Sequence, residues 1–415
     1  MFNWKRSSVI ISASVFLLTA CGGGGSSSSD TNNNPTPDAE LTAQQQALTD
    51  IANAVIPVLQ NSNNQALSLA NAIDAYCDEV AISSANVAST LATAQSTWQA
   101  AMTAWQQAEV MNFGPSFDGG NNSIRERIYS WPAKSSCFVD GALVDYDDDT
   151  AGFDINSQTP RRIGLDALEY LLYSNDLDHT CSTDSSTTSP TNGAWNIRTD
   201  ADRSLARCEY AKIVANDVAA QITALLDDWQ GAGDNYFQQL STAGSTSSRY
   251  ASATEALNEI SDALFYLDTE VKDMKIAEPA GISADCASTS CPETVESTYA
   301  NQSLANIKAN LQGFLAVLNN GMDDLLEDAG QGNIASTMTT DINAAIANID
   351  NFGTTLVASV TGINEADCTN STSDNRLEEA CALHADVKKV TDVLKTDFVT
   401  ALTLAIPQSA EGDND

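Results

Sequence analysis

Apolar residues spaced three and four apart recur along the sequence and indicate helices that bury one face. The clearest case lies within residues 84–112. On an α-helix its apolar positions fall on a single face, and they are Val87, Leu91, Ala94, Trp98, Ala101, Trp105 and Ala108. Phe113-Gly114-Pro115 then ends the helix. Since no stretch shows the apolar–polar alternation of a strand, the sequence predicts an all-α fold.

The same spacing predicts further helices, separated by polar loops. They cover residues 41–80, 124–131, 162–174, 197–229, 248–278, 292–329, 334–360 and 375–406. Gly231-Ala232-Gly233-Asp234 interrupts this series. The chain of 415 residues is also longer than one hydrophobic core usually covers. We therefore expect two tandem helical-bundle domains, over residues 41–230 and 231–415.

The N-terminus has the pattern of a lipoprotein export signal. A short basic start precedes Val9–Ala20, an apolar run too short to cross a membrane permanently. Leu18-Thr19-Ala20-Cys21 is similar to a lipobox, in which the cysteine thiol takes the lipid. We expect residues 1–20 to be a signal peptide and Cys21 to be the lipidated residue.

A tether follows the lipidation site. Residues 22–29 are only glycine and serine, and residues 30–38 are polar with two prolines, which is typical of a flexible linker. We therefore expect a tether over residues 21–40. Gly22 stands where an aspartate would signal retention in the inner membrane, so we expect anchorage in the outer membrane, facing the periplasm or the outside. No later stretch is apolar enough to span a bilayer, so lipid would be the only membrane anchor.

The charge balance limits the partners of the chain. The formal net charge is -36, and removal of a signal peptide carrying Lys5 and Arg6 would bring it to -38 (-36 - 2). Such a chain repels nucleic acid and anionic membrane surfaces and attracts cations. Solubility in salty surroundings is the simpler explanation of this charge.

Eight cysteines follow Cys21, and an even count outside the cytoplasm indicates disulfides. Eight cysteines allow 105 pairings, so the connectivity stays open. Pairing of nearest neighbours would give Cys77–Cys137, Cys181–Cys208, Cys286–Cys291 and Cys368–Cys381. A zinc site is the weaker alternative, because there is no Cys-x-x-Cys and the only histidines are His179 and His384.

Four local motifs occur in a fixed order along the chain. They are Glu109-Val110-Met111-Asn112-Phe113-Gly114-Pro115, Arg127-Ile128-Tyr129-Ser130-Trp131-Pro132, Gly164-Leu165-Asp166-Ala167-Leu168-Glu169-Tyr170 and Val295-Glu296-Ser297-Thr298-Tyr299-Ala300-Asn301. Together they resemble the imelysin-like family, also called the M75 peptidase family, over residues 45–405. Members of that family include periplasmic iron-uptake proteins and iron-regulated lipoproteins. The resemblance implies two bundle-like helical domains with a site in the cleft between them.

The family signature Gly-x-His-x-x-Glu is only partly present. Gly164 and Glu169 match it, whereas Asp166 replaces the histidine. Residues three apart share a helix face, so this pair would offer oxygen ligands, which suit hard cations such as calcium or ferric iron. Glu109 and Glu296 match acidic positions in two other motifs. The resemblance thus implies a candidate metal set of Glu109, Asp166, Glu169 and Glu296, with iron or calcium as the metal.

Each of these carboxylates also has a structural explanation. Asp166 falls in the first turn of its helix, where the helix dipole favours a negative charge. Two carboxylates three residues apart need a cation between them, and an arginine would serve as well as a metal. The candidate arginines are Arg125, Arg127, Arg161 and Arg162.

The sequence and the resemblance leave three functions open. The first is a surface or periplasmic lipoprotein that binds a metal ion, iron by resemblance, or a metal-bearing partner among iron-uptake components. The second is an M75-type metallopeptidase, which the loss of the signature histidine at Asp166 disfavours. The third is a non-catalytic scaffold whose site has degenerated.

Replacing Cys21 with serine should release the protein from membranes, because the sequence offers no other anchor. Fractionation of cells that express the wild type and Cys21→Ser tests this expectation. Recovery of the variant in the membrane pellet after a high-salt wash would contradict it.

Overall fold

A computed structural model describes residues 37–117, 123–148, 152–181, 195–231, 235–408 and 410. The expected signal peptide, the lipidation site Cys21 and the tether up to residue 36 lie outside these residues. The described residues contain helices, turns and loops but no strand. The prediction of an all-α fold is confirmed.

Most of the helices fall within the predicted series, but Ser136–Asp147, Tyr236–Ser241 and Glu365–Asn370 lie where no helix was predicted. They are α1 Pro37–Ala81, α2 Val87–Glu109, α3 Ile124–Ile128, α4 Ser136–Asp147, α5 Gly164–Tyr173, α6 Asp200–Gln230, α7 Tyr236–Ser241, α8 Ala253–Leu264, α9 Ser303–Val317, α10 Asp323–Asp328, α11 Gly332–Asp350, α12 Leu356–Val360, α13 Glu365–Asn370, α14 Glu379–Val393 and α15 Val399–Leu402. Three π-helical segments are Leu267–Ala277, Leu318–Met322 and Leu394–Phe398. Short 3-10 helices are Gly114–Ser116, Ile155–Ser157, Pro160–Arg162 and Pro292–Thr294. None of the described helices combines the length and hydrophobicity that a bilayer crossing needs.

Helix α1 packs against both halves of the chain. It lies against α2 and α6 along its length, and it also contacts α7, α8 and α9 from the second half. Its apolar face, including Leu48, Ile51 and Val55, is fully buried. The buried apolar residues of the two halves belong to one continuous cluster.

Gly231 ends α6 in a left-handed conformation, and residues 232–234 lie outside the described residues. The expected domain boundary there stays a prediction.

The C-terminal helix expected from residue 292 begins later than the spacing predicts. Its first α-helical residue is Ser303, and residues 295–302 form a loop instead. Ser297 and Asn301 adopt left-handed backbone conformations (φ 48° and 54°), which no right-handed helix can accommodate. The fourth motif is therefore a loop packed against α5, with consequences for the candidate site.

Two of the four expected disulfides have different partners in the structure. Cys77 pairs with Cys208 and Cys137 pairs with Cys181, so the expected bonds Cys77–Cys137 and Cys181–Cys208 are wrong. The reason is helix packing: α1 lies against α6, which places the two cysteines with their Cα atoms 5.4 Å apart. The expected pairs Cys286–Cys291 and Cys368–Cys381 are present.

Removing Cys77–Cys208 should destabilise the protein more than removing Cys286–Cys291. The first bond spans 131 residues and the second spans 5. On the loop-entropy argument they stabilise the fold by about 5 and about 2 kcal/mol. Urea unfolding of the double variants C77S/C208S and C286S/C291S, without reductant, measures the difference. Equal losses of stability would contradict the expectation.

Candidate ligand-binding cleft

Helix α5 begins at a position that only glycine can occupy without strain. Gly164 has a φ of +92°, and a Cβ there would lie 2.9 Å from the carbonyl oxygen of Ile128. The glycine therefore allows α5 to start directly against the C-terminal end of α3. From Gly164 to Leu172 every residue of α5 is buried. The signature glycine thus fixes the position of the two carboxylates that follow it.

Asp166 and Glu169 lie on one side of α5, as their spacing predicts, and both line a cleft. Asp166 accepts hydrogen bonds from the Ser130 hydroxyl (2.8 Å) and from the Ala167 amide (3.0 Å). Glu169 accepts one from the backbone amide of Ala300 (2.9 Å). That amide belongs to the loop 295–302, so the late start of α9 is what provides this donor.

The cleft between α5 and the loop 295–302, which we call the α5 cleft, has a volume of about 430 Å³. Its lining is mostly acidic and aromatic, with Lys134 as a basic residue. The residues that face it include Tyr129, Trp131, Lys134, Asp166, Glu169, Glu278, Glu293 and Tyr299. The cleft therefore combines four carboxylates with flat apolar walls.

Burial raises the pKa of both α5 carboxyl groups. The pKa of Asp166 rises to about 6 and that of Glu169 to about 7, mainly because burial disfavours the charged form. Lys134 lowers both pKa values. Among the described residues, however, no basic side chain comes within the 4.0 Å of an ion pair with either group. The two carboxyl groups would thus gain from a cation bound closer to them than Lys134.

Glu109 and Glu296, by contrast, lie behind the cleft and are paired with basic residues. Glu109 forms an ion pair of 2.7 Å with Arg125, and Glu296 forms one of 2.9 Å with Lys275. Both glutamates are 1 % exposed. The hydroxyl of Tyr129, which lines the cleft, donates to Glu296 (2.6 Å). The four expected ligands are therefore split into two cleft residues and two members of a buried ionic network.

Among the candidate arginines, only Arg125 pairs with an expected ligand. Arg127 pairs with Asp217, Arg162 pairs with Asp145, and Arg161 donates to the carbonyl oxygen of Ala133. Arg125, a candidate cation for Asp166 and Glu169, thus pairs with Glu109 instead, and none of the four arginines pairs with Asp166 or Glu169.

Lys275 was not among the residues predicted for the site, and its ammonium group is fully buried. It donates to Gln106 (2.7 Å) and Asn310 (2.9 Å) in addition to its pair with Glu296. The sequence contained an indication that Lys275 is buried. Lys275 lies in a helical stretch with the apolar residues Val271 and Ile276, both of which are fully buried. A lysine within such a stretch indicates an internal partner rather than a solvated face.

A metal held by all four carboxylates does not fit this arrangement. Among the described ranges, no group of three or more His, Cys, Asp or Glu side chains is placed to hold a metal ion. Arg125 and Lys275 already neutralise two of the carboxylates. The α5 cleft can thus offer Asp166 and Glu169 to a cation, with water or the ligand itself completing its shell.

Comparisons with known proteins agree on one family. The family model described as Imelysin matches residues 55–388. A crystal structure of an imelysin-like protein from Psychrobacter arcticum 273-4 is similar with a TM-score of 0.65 and 18% identity, covering 88% of this chain and 97% of that one. An iron-regulated protein A precursor from Parabacteroides distasonis ATCC 8503 gives a TM-score of 0.59 and 18% identity, covering 89% and 98%. No curated protein sequence matches the chain.

Replacing Glu169 with glutamine should stabilise the protein at alkaline pH. The pKa of Glu169 is raised from 4.5 to about 7 in the folded protein, so the bound proton stabilises the fold fully below pH 4.5. This stabilisation is lost as the pH rises through about 7. Because glutamine imitates the protonated group at every pH, Glu169→Gln should resemble the wild type near pH 5. At pH 8 its free energy of unfolding should be higher by roughly 2–3 kcal/mol.

Denaturant unfolding at both pH values measures this difference. Glu327→Gln, at an exposed position on α10, is the matched control, and its free energy of unfolding should stay within about 0.5 kcal/mol of the wild-type value in both measurements. A Glu169→Gln variant that is equally destabilised at both pH values would indicate a basic partner for Glu169 and contradict the argument.

Proposed function

Because this chain belongs to the imelysin family, we propose that it is a lipid-anchored binding protein that captures iron as an exchangeable cation in the α5 cleft, in support of iron uptake. The observation that carries the proposal is the pair of buried carboxyl groups, Asp166 and Glu169, without a basic partner within ion-pair distance. A buried carboxylate ordinarily has such a partner, and a bound cation would supply it.

The oxygen-only donor set suits the proposed cargo. Carboxylate oxygens together with water are the usual ligands of hard cations. Two protein carboxylates leave most of the shell to water or to a carrier, which favours exchange over permanent retention. An uptake protein has to release its cargo, so weak binding is consistent with this role. The negative net charge of -36 would raise the local cation concentration around the cleft.

A metallopeptidase is less well supported by the same residues. A catalytic zinc site ordinarily has three protein ligands, of which histidines are the commonest. Here Asp166 stands at the signature histidine position, and the described residues provide no three-ligand group. A non-catalytic scaffold with a degenerate site is the remaining alternative, and the experiment below separates it from the binding protein.

The lipid anchor and the outer-membrane location belong to this proposal. They are supported by the lipobox Leu18-Thr19-Ala20-Cys21 and by the glycine and serine run that follows it. A tether of this composition would let the binding protein sample a volume around its attachment point.

Iron binding should depend on Asp166 and Glu169. Calorimetric titration with ferric citrate, and with calcium, compares the wild type with Asp166→Asn, Glu169→Gln and the double variant. We expect each single change to weaken iron binding about tenfold or more, since even the partners of metal ligands commonly contribute that much. Glu327→Gln removes one negative charge from an exposed position outside the cleft and should leave the affinity unchanged.

The alternatives give different results in the same titration. No iron binding by the wild type would favour a scaffold and refute the proposal. Iron binding that the double variant retains would place the site elsewhere. Release of peptides from a protein substrate, abolished by a chelator and by Asp166→Asn, would favour the metallopeptidase.

A further inference from the structure

A second cleft lies beside α8 and shares no lining residue with the α5 cleft. We call it the α8 cleft, and its volume is about 390 Å³. It lies between the C-terminal end of α8, the start of the π-helical segment Leu267–Ala277 and the residues that follow α2. Its walls are formed chiefly by three aromatic and three acidic side chains: Phe117, Phe265, Tyr266, Glu259, Asp262 and Glu270. A volume of this size is typical of small-molecule sites.

The three carboxylates of the α8 cleft have no basic partner. Among the residues that the structure describes, no Lys, Arg or His comes within the 4.0 Å of an ion pair with Glu259, Asp262 or Glu270. Glu259 accepts from the amide of Gly114 (2.7 Å), and Glu270 accepts from the hydroxyl of its neighbour Thr269.

The nearby basic groups are occupied elsewhere. Arg125 pairs with Glu109 and Glu126, Lys275 pairs with Glu296, and Arg249 lies over the rings of Tyr236 and Tyr250. Burial accordingly raises the pKa of Glu270, and burial together with Glu259 raises that of Asp262. The cleft thus has three carboxylates and no ion pair of its own among the described residues, and Arg125 and Lys275 act on Glu270 only from a distance, where they lower its pKa.

Tyr266 has an unsatisfied polar group at the inner wall of the cleft, on the side of Glu109 and Arg125. Its side chain is 7% exposed and lines the cleft, yet its hydroxyl has no hydrogen-bond partner among the described residues. The amide oxygen of Asn112, on the same lining, also has none. Buried hydroxyl and amide groups rarely lack a partner, because each costs free energy when it is removed from water. Phe117, in contrast, exposes 62% of its surface although it is strongly apolar.

We propose that the α8 cleft binds a small organic ammonium ion whose apolar body packs on the aromatic wall. The ammonium group would bind to the carboxylates of Asp262 and Glu270, and the exposed ring of Phe117 would stabilise it further through cation–π contact, whereas the ring of Tyr266 already has the ammonium of Lys275 over it. A bare metal ion is the poorer occupant, because the aromatic walls formed by Phe117, Phe265 and Tyr266 offer it no ligand. This proposal concerns an organic ligand and stands apart from the iron site.

Titration with 2-phenylethylamine tests the charge and the apolar body together. The protein is the full mature chain, and 2-phenylethanol serves as the uncharged analogue. We expect the amine to bind and the alcohol to bind at least tenfold more weakly. Glu270→Gln and Phe117→Ala should each weaken amine binding about tenfold. Asp262 is exposed, so Asp262→Asn provides a variant with little risk to folding.

Two controls separate a site from general attraction to an acidic protein. Glu327→Gln removes the same charge from an exposed position outside the α8 cleft and should leave amine affinity unchanged. The double variant Asp166→Asn/Glu169→Gln should also bind the amine like the wild type, which distinguishes this site from the α5 cleft. Thermal melts of each variant show whether it is folded.

The proposal fails if the wild type does not bind the amine at millimolar concentration. It also fails if 2-phenylethanol binds equally well, or if Asp262→Asn and Glu270→Gln bind the amine no more weakly than Glu327→Gln.

Discussion

The buried ion pair of Lys275 and Glu296 joins the parts of the molecule that form the α5 cleft. Lys275 comes from a π-helical segment, Glu296 from the loop before α9, and their shared neighbour Gln106 from α2. Loss of one partner would leave an uncompensated charge in the core, a change that costs about 3–5 kcal/mol. Because Glu296 anchors the loop 295–302, the same pair also holds the Ala300 amide against Glu169. The candidate site is therefore positioned by ionic contacts that lie one layer behind it.

Most of the long helices were predictable from the sequence, whereas short helices such as α7 and α13, the helix α4 and the connections were not or only partly so. The apolar spacing around Trp98 and Trp105 leaves one buried face, and α2 has that face. The spacing also continues from Pro292 into α9, but it does not reveal that Ser297 and Asn301 turn left-handed. Local periodicity carries no information about tertiary contacts that override helix formation. For the same reason it could not show that α1 and α6 bring Cys77 to Cys208.

The candidate site was predictable in part. The three-residue spacing of Asp166 and Glu169 fixes their common side on α5, and the structure places both on one cleft. The resemblance could not show which carboxylates are neutralised internally, since that depends on how separate elements pack together. Glu109 is neutralised by Arg125 of α3, and Glu296 is neutralised by Lys275 of a π-helical segment. Replacement of the signature histidine by Asp166 changes the ligand chemistry while Gly164 keeps the backbone geometry.

The disulfide pattern has a consequence for how the chain matures. Synthesis proceeds from the N-terminus, so Cys77 and Cys137 both emerge well before Cys208, the partner of Cys77. Oxidation in order of appearance would join the first two and leave a non-native bond. The nested native pattern therefore requires either that Cys77 stays reduced until α6 has docked on α1, or that a thiolate later exchanges the bond. The long packing contact between these two helices would direct the final choice of partner.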